Sequence, residues 1–168
     1  HLARRSTDYG ISAGPVSVDM AAVIARKRQV VDSFREGSES AQRNTEGLDA
    51  IDGEARFIGP KELSVQLNDG GERRLAADLI FIDTGTRPAV PTIPGLDEVP
   101  YLTSTTAMEL ETIPSHLVIV GGGAVGIEFA QMFQRFGSRV TMLVRGDRLL
   151  QQEDEDVVEA LTRILTDE

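Results

Sequence analysis

Hydrophobic residues in this 168-residue chain recur with two different periods, and the switching between them predicts an α/β fold. The clearest strand-to-helix unit begins at His116, where the branched apolar residues Leu117, Val118, Ile119 and Val120 run into Gly121-Gly-Gly-Ala-Val-Gly126 and then into an apolar helical pattern. Between residues 51 and 82 the period is two, broken by the strong turn signal Asn68-Asp-Gly-Gly71. Amphipathic stretches at 19–45 and 153–165 return to the helical period.

Taken in order, residues 2–5 read as the tail of a helix and residue 168 falls in or just past another, the pattern of a section of a longer polypeptide. Asp19 is placed to cap a helix whose apolar positions are Met20, Val23, Ile24, Val30, Val31 and Phe34. That helix is expected to reach about Thr45, with a bend near Gly37. Its Arg26, Lys27 and Arg28 read as a solvated face, a phosphate patch being the alternative. Strands at 54–57, 62–67 and 73–75 would make an antiparallel meander. Leu79, Ile80, Phe81 and Ile82 form a continuous apolar run, expected as a strand buried on both faces of a parallel sheet.

Four of the seven prolines fall within residues 84–100, which predicts a stiff, extended connector. Thr106 and Glu109 have capping-box spacing for a short helix ending before Pro114. In the glycine-led helix, Val125, Phe129, Met132, Phe133 and Phe136 are expected to face the sheet, with Ile127 and Ala130 covered on a second side. Gly137 reads as its left-handed cap. A second parallel strand follows at 140–144, and a last helix at about 153–165 carries Val157, Val158, Leu161, Ile164 and Leu165 on one face.

Composition excludes several functions. A net charge of −10 opposes binding to nucleic acid or to an anionic membrane. No apolar run approaches the ~20 residues of a membrane helix, and the polar first residues lack the apolar core of a signal peptide, so a cytoplasmic protein is the default expectation. With no cysteine and two histidines, neither a disulfide nor a metal site is expected.

The glycine pattern Gly121-x-Gly123-x-x-Gly126 has the strand before it and the helix start within it that give it a mechanism. Gly121 permits the tight turn, Gly123 lets backbone approach a pyrophosphate, and Gly126 lets the helix pack on the strand. The phosphates would then meet unpaired amides at the positive end of the helix dipole; a turn that binds nothing is the alternative. This predicts a Rossmann-like nucleotide-binding unit. At the tip of its second strand stand Arg145 and Arg148 rather than a carboxylate. An arginine there suits the 2′-phosphate of NADP, so NADP is favoured over NAD; in the opposing reading both arginines are solvated and Asp147 reaches the ribose.

The wording of three segments, Gly53-Glu-Ala-Arg-Phe57, Ala77-Asp-Leu-Ile-Phe-Ile-Asp-Thr-Gly-Thr-Arg-Pro88 and Val118-Ile-Val-Gly-Gly-Gly-Ala-Val-Gly-Ile-Glu128, resembles the FAD-dependent pyridine nucleotide-disulfide oxidoreductases. Their order matches that family, as does Phe136-Gly-Ser-Arg-Val-Thr141, and the wording is closest to mercuric reductase-like and dihydrolipoamide dehydrogenase-like members. The resemblance spans the chain but only a middle section of a family member. It implies that residues 1–105 are the later part of an FAD-binding domain and residues 106–168 the first half of an NAD(P)-binding domain. Ala55 and the turn Thr84-Gly85-Thr86 would border FAD, although Gly85 also reads as an ordinary turn before a proline segment. Gly121, Gly122, Gly123, Ala124, Val125, Gly126, Glu128, Arg145 and Arg148 would serve the nicotinamide nucleotide. Glu128 matches a glutamate near the flavin–nicotinamide contact, the one catalytic candidate; a first-turn acid favoured by the helix dipole is its other reading. Ala124 stands where glutathione reductases have a gating tyrosine, and Gln151 where they have a second phosphate-binding arginine.

The family's first glycine motif, its redox cysteine pair, and its C-terminal dimerisation domain with a catalytic histidine have no counterpart among these residues. The implied parent is a homodimer that passes hydride from NAD(P)H to FAD and on to a disulfide or another small-molecule acceptor, the section alone being inactive. Two other readings stand beside it: a non-catalytic nucleotide-binding fragment, and a related flavoprotein without the redox disulfide, of the NADH oxidase or ferredoxin reductase type. The section is also expected to fold poorly alone, because the strand at 79–82 would lack parallel neighbours.

Overall fold

A computed structural model describes residues 2–168. It is α/β, with a three-stranded antiparallel sheet and a two-stranded parallel one. The chain divides into two compact units, residues 29–87 and the remainder. Helix α1 (Met20–Arg43) begins where predicted: Asp19 Oδ1 accepts the Ala22 N–H at 3.1 Å. The helix continues through Gly37 without interruption.

In the unit of residues 29–87, β1 (Gly53–Gly59), β2 (Glu62–Leu67) and β3 (Glu72–Ala76) form the expected meander in that order. Ala55 pairs with Val65, and Val65 with Arg73; a bulge between Phe57 and Gly59 leads into the first hairpin turn. Gly53 is a glycine for a reason, since a Cβ there would collide with the Gln66 carbonyl and the Val65 side chain. Val65 is buried, and so is Ser64, whose hydroxyl donates to Glu72 Oε1 at 2.8 Å. That hydrogen bond holds the Glu72 carboxyl below the usual carboxylate range. Arg43 to Asp52 at 2.7 Å and Arg73 to Asp49 at 3.0 Å tie the loop before β1 to its surroundings.

Residues 79–82 depart from expectation. They form no strand, and Phe81 is 90% exposed, with Leu79 and Ile82 also exposed. A strand exists only as a hydrogen-bonded neighbour of another, and among the described residues no strand pairs with this run. Apolar composition alone therefore could not make it one.

The second unit holds β4 (His116–Val120) and β5 (Arg139–Leu143), paired in parallel with His116 opposite Arg139 and Val120 opposite Leu143. Helix α3 (Ala124–Phe136) crosses between them, and α4 (Glu155–Asp167) follows. Gly137 ends α3 in the left-handed conformation (φ 116°), its N–H and that of Ser138 returning to the Phe133 carbonyl at 3.0 and 2.9 Å. Ser138 Oγ donates to the Pro114 carbonyl and the Arg139 N–H to that of Ser115, which starts the parallel pairing. The face of α3 that turns inward is Ile127, Ala130 and Phe133, whereas Val125 is exposed. Phe129, Met132 and Phe136 are half-buried, so of the positions expected to face the sheet only Val125 departs, and Ile127 and Ala130 are covered as expected. Phe133 is fully buried, with Phe129 stacked on it at 6.3 Å and Phe136 edge-on at 6.0 Å between ring centres. On α4, Val158 is buried, while Val157 and Ile164 remain exposed.

Two ionic clusters brace this unit. Lys27 on α1 pairs with Glu109, and Arg28 reaches Glu109 at 3.4 Å and Glu111 at 3.9 Å. Two of the three residues in the Arg26–Arg28 cluster are thus ion-paired, Lys27 mostly covered and Arg28 still exposed. Glu109 is consequently not part of a capping box; the short α2 (Ser104–Ala107) is boxed by Thr103 and Thr106 instead. At the other end, Arg135 grips Glu168 at 3.0 and 2.5 Å, with Gln131 at 3.2 Å. Among the described residues no helix is long and apolar enough to cross a membrane.

Phe133→Ala should lower the unfolding free energy by about 3–5 kcal/mol, read as a lower denaturant midpoint at unchanged slope. The Lys27 contact also holds the Glu109 carboxyl below its ordinary value. A depressed folded pKa contributes stability that is present above the unfolded value and is lost as pH falls through the folded one. Between about pH 5 and 3, Glu109→Gln should therefore lose less thermal stability than wild type, as a series of melts would report.

Candidate functional site

Where β4 ends, Gly121 adopts φ 118° and its N–H donates to the Leu143 carbonyl at 2.9 Å, closing the strand pair. The chain reverses into α3 so tightly that a Cβ on Gly126 would lie 2.8 Å from the Gly121 carbonyl oxygen and 3.5 Å from Ile119 Cγ2. Gly123 is the N-cap and supplies no side chain, so the first-turn amides of α3 have no cap. Nothing lies within 4 Å of where a Gly123 Cβ would stand. Open space over uncapped amides is the geometry an anion requires.

A cleft of about 720 Å³ lies over this turn, within the ordinary range for small-molecule sites. It brings together Gly121, Gly122, Gly123 and Ala124 with Arg145 and Arg148 from beyond β5. Val125, Gly126 and Glu128 lie in the first turns of α3 outside the lining, Val125 and Glu128 exposed. Arg145 is exposed and makes no hydrogen bond or ion pair with a described residue. Arg148 is committed: its Nη2 donates to the carbonyls of Gln151 at 2.8 Å and Glu153 at 3.2 Å. Asp147 is exposed and does not line the cleft.

In the other unit, Ala55 lies in β1, and Thr84, Gly85 and Thr86 form an exposed segment of irregular backbone. Gly85 takes φ 69° with open space at its Cβ position.

Sequence reasoning missed the loop after β5. Gln151, Gln152 and Glu153 line the cleft along with Pro91, Thr92 and Ile93 of the proline-rich connector. Leu150, at the loop's centre, has φ 44°, a conformation that disfavours a branched side chain by about 1–2 kcal/mol. Its N–H donates to the Gly122 carbonyl at 2.8 Å. One signal was present in the sequence. Gly122 occupies a position where the glycine pattern tolerates any residue, yet a Cβ there would meet both Val144 methyls at 3.0 Å and Leu149 Cδ2 at 3.1 Å. The loop packs tightly over this glycine.

His116 sits at the opposite end of β4. Arg139 Nη2 lies 3.0 Å from its Nδ1, and a guanidinium can only donate, so Nδ1 accepts and Nε2–H donates to Thr141 Oγ1 at 2.9 Å. Both ring nitrogens have structural partners.

The sequence profile of the pyridine nucleotide-disulphide oxidoreductases matches residues 8–168. The chain belongs to that family. It is 43% identical over 164 residues to a mercuric reductase of Shigella flexneri, covering 96% of this chain and 29% of that protein. To a mercuric reductase of Streptomyces lividans it is 42% identical, covering 95% of this chain and 33% of the relative. Among solved structures, the HOCl-induced flavoprotein disulfide reductase RclA from Escherichia coli superposes with a TM-score of 0.77 at 38% identity, over 89% of this chain and 34% of that one. This member of the oxidoreductase family thus spans about a third of the length of the relatives it matches. The α/β fold expected of the family, with a parallel strand–helix–strand unit and an antiparallel meander, is the one observed.

Gly126→Ala should destabilise this unit by about 1–3 kcal/mol through overpacking, measured by chemical unfolding. Gly123→Ala, with space for its methyl, should stay within about 0.5 kcal/mol of wild type.

Proposed function

We propose that this chain is the section of a flavoprotein oxidoreductase that holds NADPH at the α3 turn and contributes backbone to the FAD site. In this reading residues 1–105 belong to the FAD-binding domain and residues 106–168 to the NADP-binding domain. The observation that carries it is the placement of an unpartnered guanidinium, Arg145, in the same cleft as an uncapped helix N-terminus. A diphosphate suits the first-turn amides of α3, and the 2′-phosphate of NADP suits a planar, always-charged fork. The absence of Asp147 from the lining weighs against the alternative in which a carboxylate takes the ribose of NAD.

Gly121, Gly122, Gly123 and Ala124 would hold the diphosphate through main chain, and Arg145 the 2′-phosphate. Val125 and Gly126 add their first-turn amides. The exposure of Ala55 and of Thr84, Gly85 and Thr86 supports a role in bordering FAD, since Gly85 leaves room for close main-chain approach. Glu128, exposed and without a described partner, is positioned by α3 to pair with a lysine supplied from elsewhere. When bound, the two cofactors supply the redox chemistry, and electrons leave to a small-molecule acceptor: a disulfide or, as the names of the relatives suggest, a mercuric ion. This chain's residues bind and orient.

Calorimetry on the full-length protein tests the reading. NADPH should bind more tightly than NADH. Arg145→Gln should weaken NADPH by about tenfold to a hundredfold, the loss of a charge-assisted hydrogen bond of about 1.5–3 kcal/mol, and leave NADH nearly unchanged. Tighter binding of NADH by wild type, or equal losses for both nucleotides, would refute the assignment of Arg145.

A further inference from the structure

The loop after β5 forms one connected hydrogen-bonded chain. Arg148 Nη2 donates to the carbonyls of Gln151 and Glu153; the Glu153 N–H donates to the Leu150 carbonyl at 2.9 Å; and the Leu150 N–H donates to the Gly122 carbonyl at 2.8 Å. The last acceptor belongs to the glycine turn itself. Leu150 is the one described non-glycine residue with positive φ, a strained conformation that persists only where surrounding contacts enforce it. Side-chain packing does the rest, with Val144 and Leu149 resting against the bare Cα of Gly122.

We propose that Arg148 is a positioning residue: by bridging the carbonyls of Gln151 and Glu153 it keeps Leu150 pinned to Gly122, and so sets the orientation of the turn that receives the diphosphate. Arg148 is the second basic residue at the strand tip, which from sequence alone is a second candidate for the 2′-phosphate. Its donors are instead directed at main chain, leaving Arg145 to discriminate between nucleotides. The inference rests on the nucleotide reading of the cleft. Its signature differs from that of a phosphate ligand. Every nicotinamide nucleotide carries the diphosphate, so loosening the loop must weaken NADPH and NADH by the same factor. If the pinned arrangement falls to about one tenth of the population, both dissociation constants rise about tenfold.

The experiment is titration of the full-length protein with NADPH and with NADH, comparing wild type with Arg148→Gln well below the melting temperature of each. The expected result is an equal rise in both dissociation constants at unchanged stoichiometry, with the NADPH preference of wild type retained. Stoichiometry separates this from simple loss of structure, which lowers the number of competent sites and not the affinity of those that remain. Should Arg148→Gln fail to fold, Arg148→Lys carries the test: an ammonium reaches one carbonyl without the planar fork, and a smaller but equal rise for both nucleotides is expected. A loss confined to NADPH, or no loss for either, would overturn the proposal while leaving the nucleotide site standing. Wild type that binds neither nucleotide would overturn the site as well.

Discussion

Helix α3 can start where it does because nothing larger than hydrogen projects from Gly126 toward the Gly121 carbonyl. That close approach sets three things together. It places the helix axis against β4, it fixes the rotation that turns Ile127, Ala130 and Phe133 inward, and it leaves the first-turn amides over open space at the carboxyl end of the strands. A side chain at this point would lift the helix and disperse all three. The parallel pair β4–β5, the aromatic stack around Phe133 and the cleft are therefore consequences of one backbone contact.

Much of this was readable in advance, for identifiable reasons. The Asp19 cap, the Asn68–Gly71 turn and the left-handed Gly137 are local signals, each decided by the chemistry of one or two residues. The meander was legible because its alternation and its turn agree. Residues 79–82 were misjudged because a strand depends on a neighbour that composition does not name. On α3 the periodicity was sound for every expected position but Val125, which stands at the open first turn where no neighbouring element covers it.

The cleft was half legible. The glycine turn and Arg145 came from a pattern whose spacing has a physical cause, and the structure gathers them around one space. What could not be read was the loop at 148–153, whose form depends on main-chain hydrogen bonds and on a leucine in a conformation its side chain does not advertise. Arg148 illustrates the difficulty. Charge and position suggested a ligand contact, whereas geometry turned the same donors onto carbonyls three and five residues away.

The bare stretch at 79–82 has a bearing on how such a polypeptide is handled in a cell. Leu79, Phe81 and Ile82 stand in solvent, paired with neither of the meander's outer strands, and so form a run of exposed apolar side chains. Short unshielded apolar windows of this kind are where self-association begins. Asp78, ion-paired with Lys61, and Asp83 bracket it on either side, and acidic residues flanking such a window act as gatekeepers that disfavour pairing between copies.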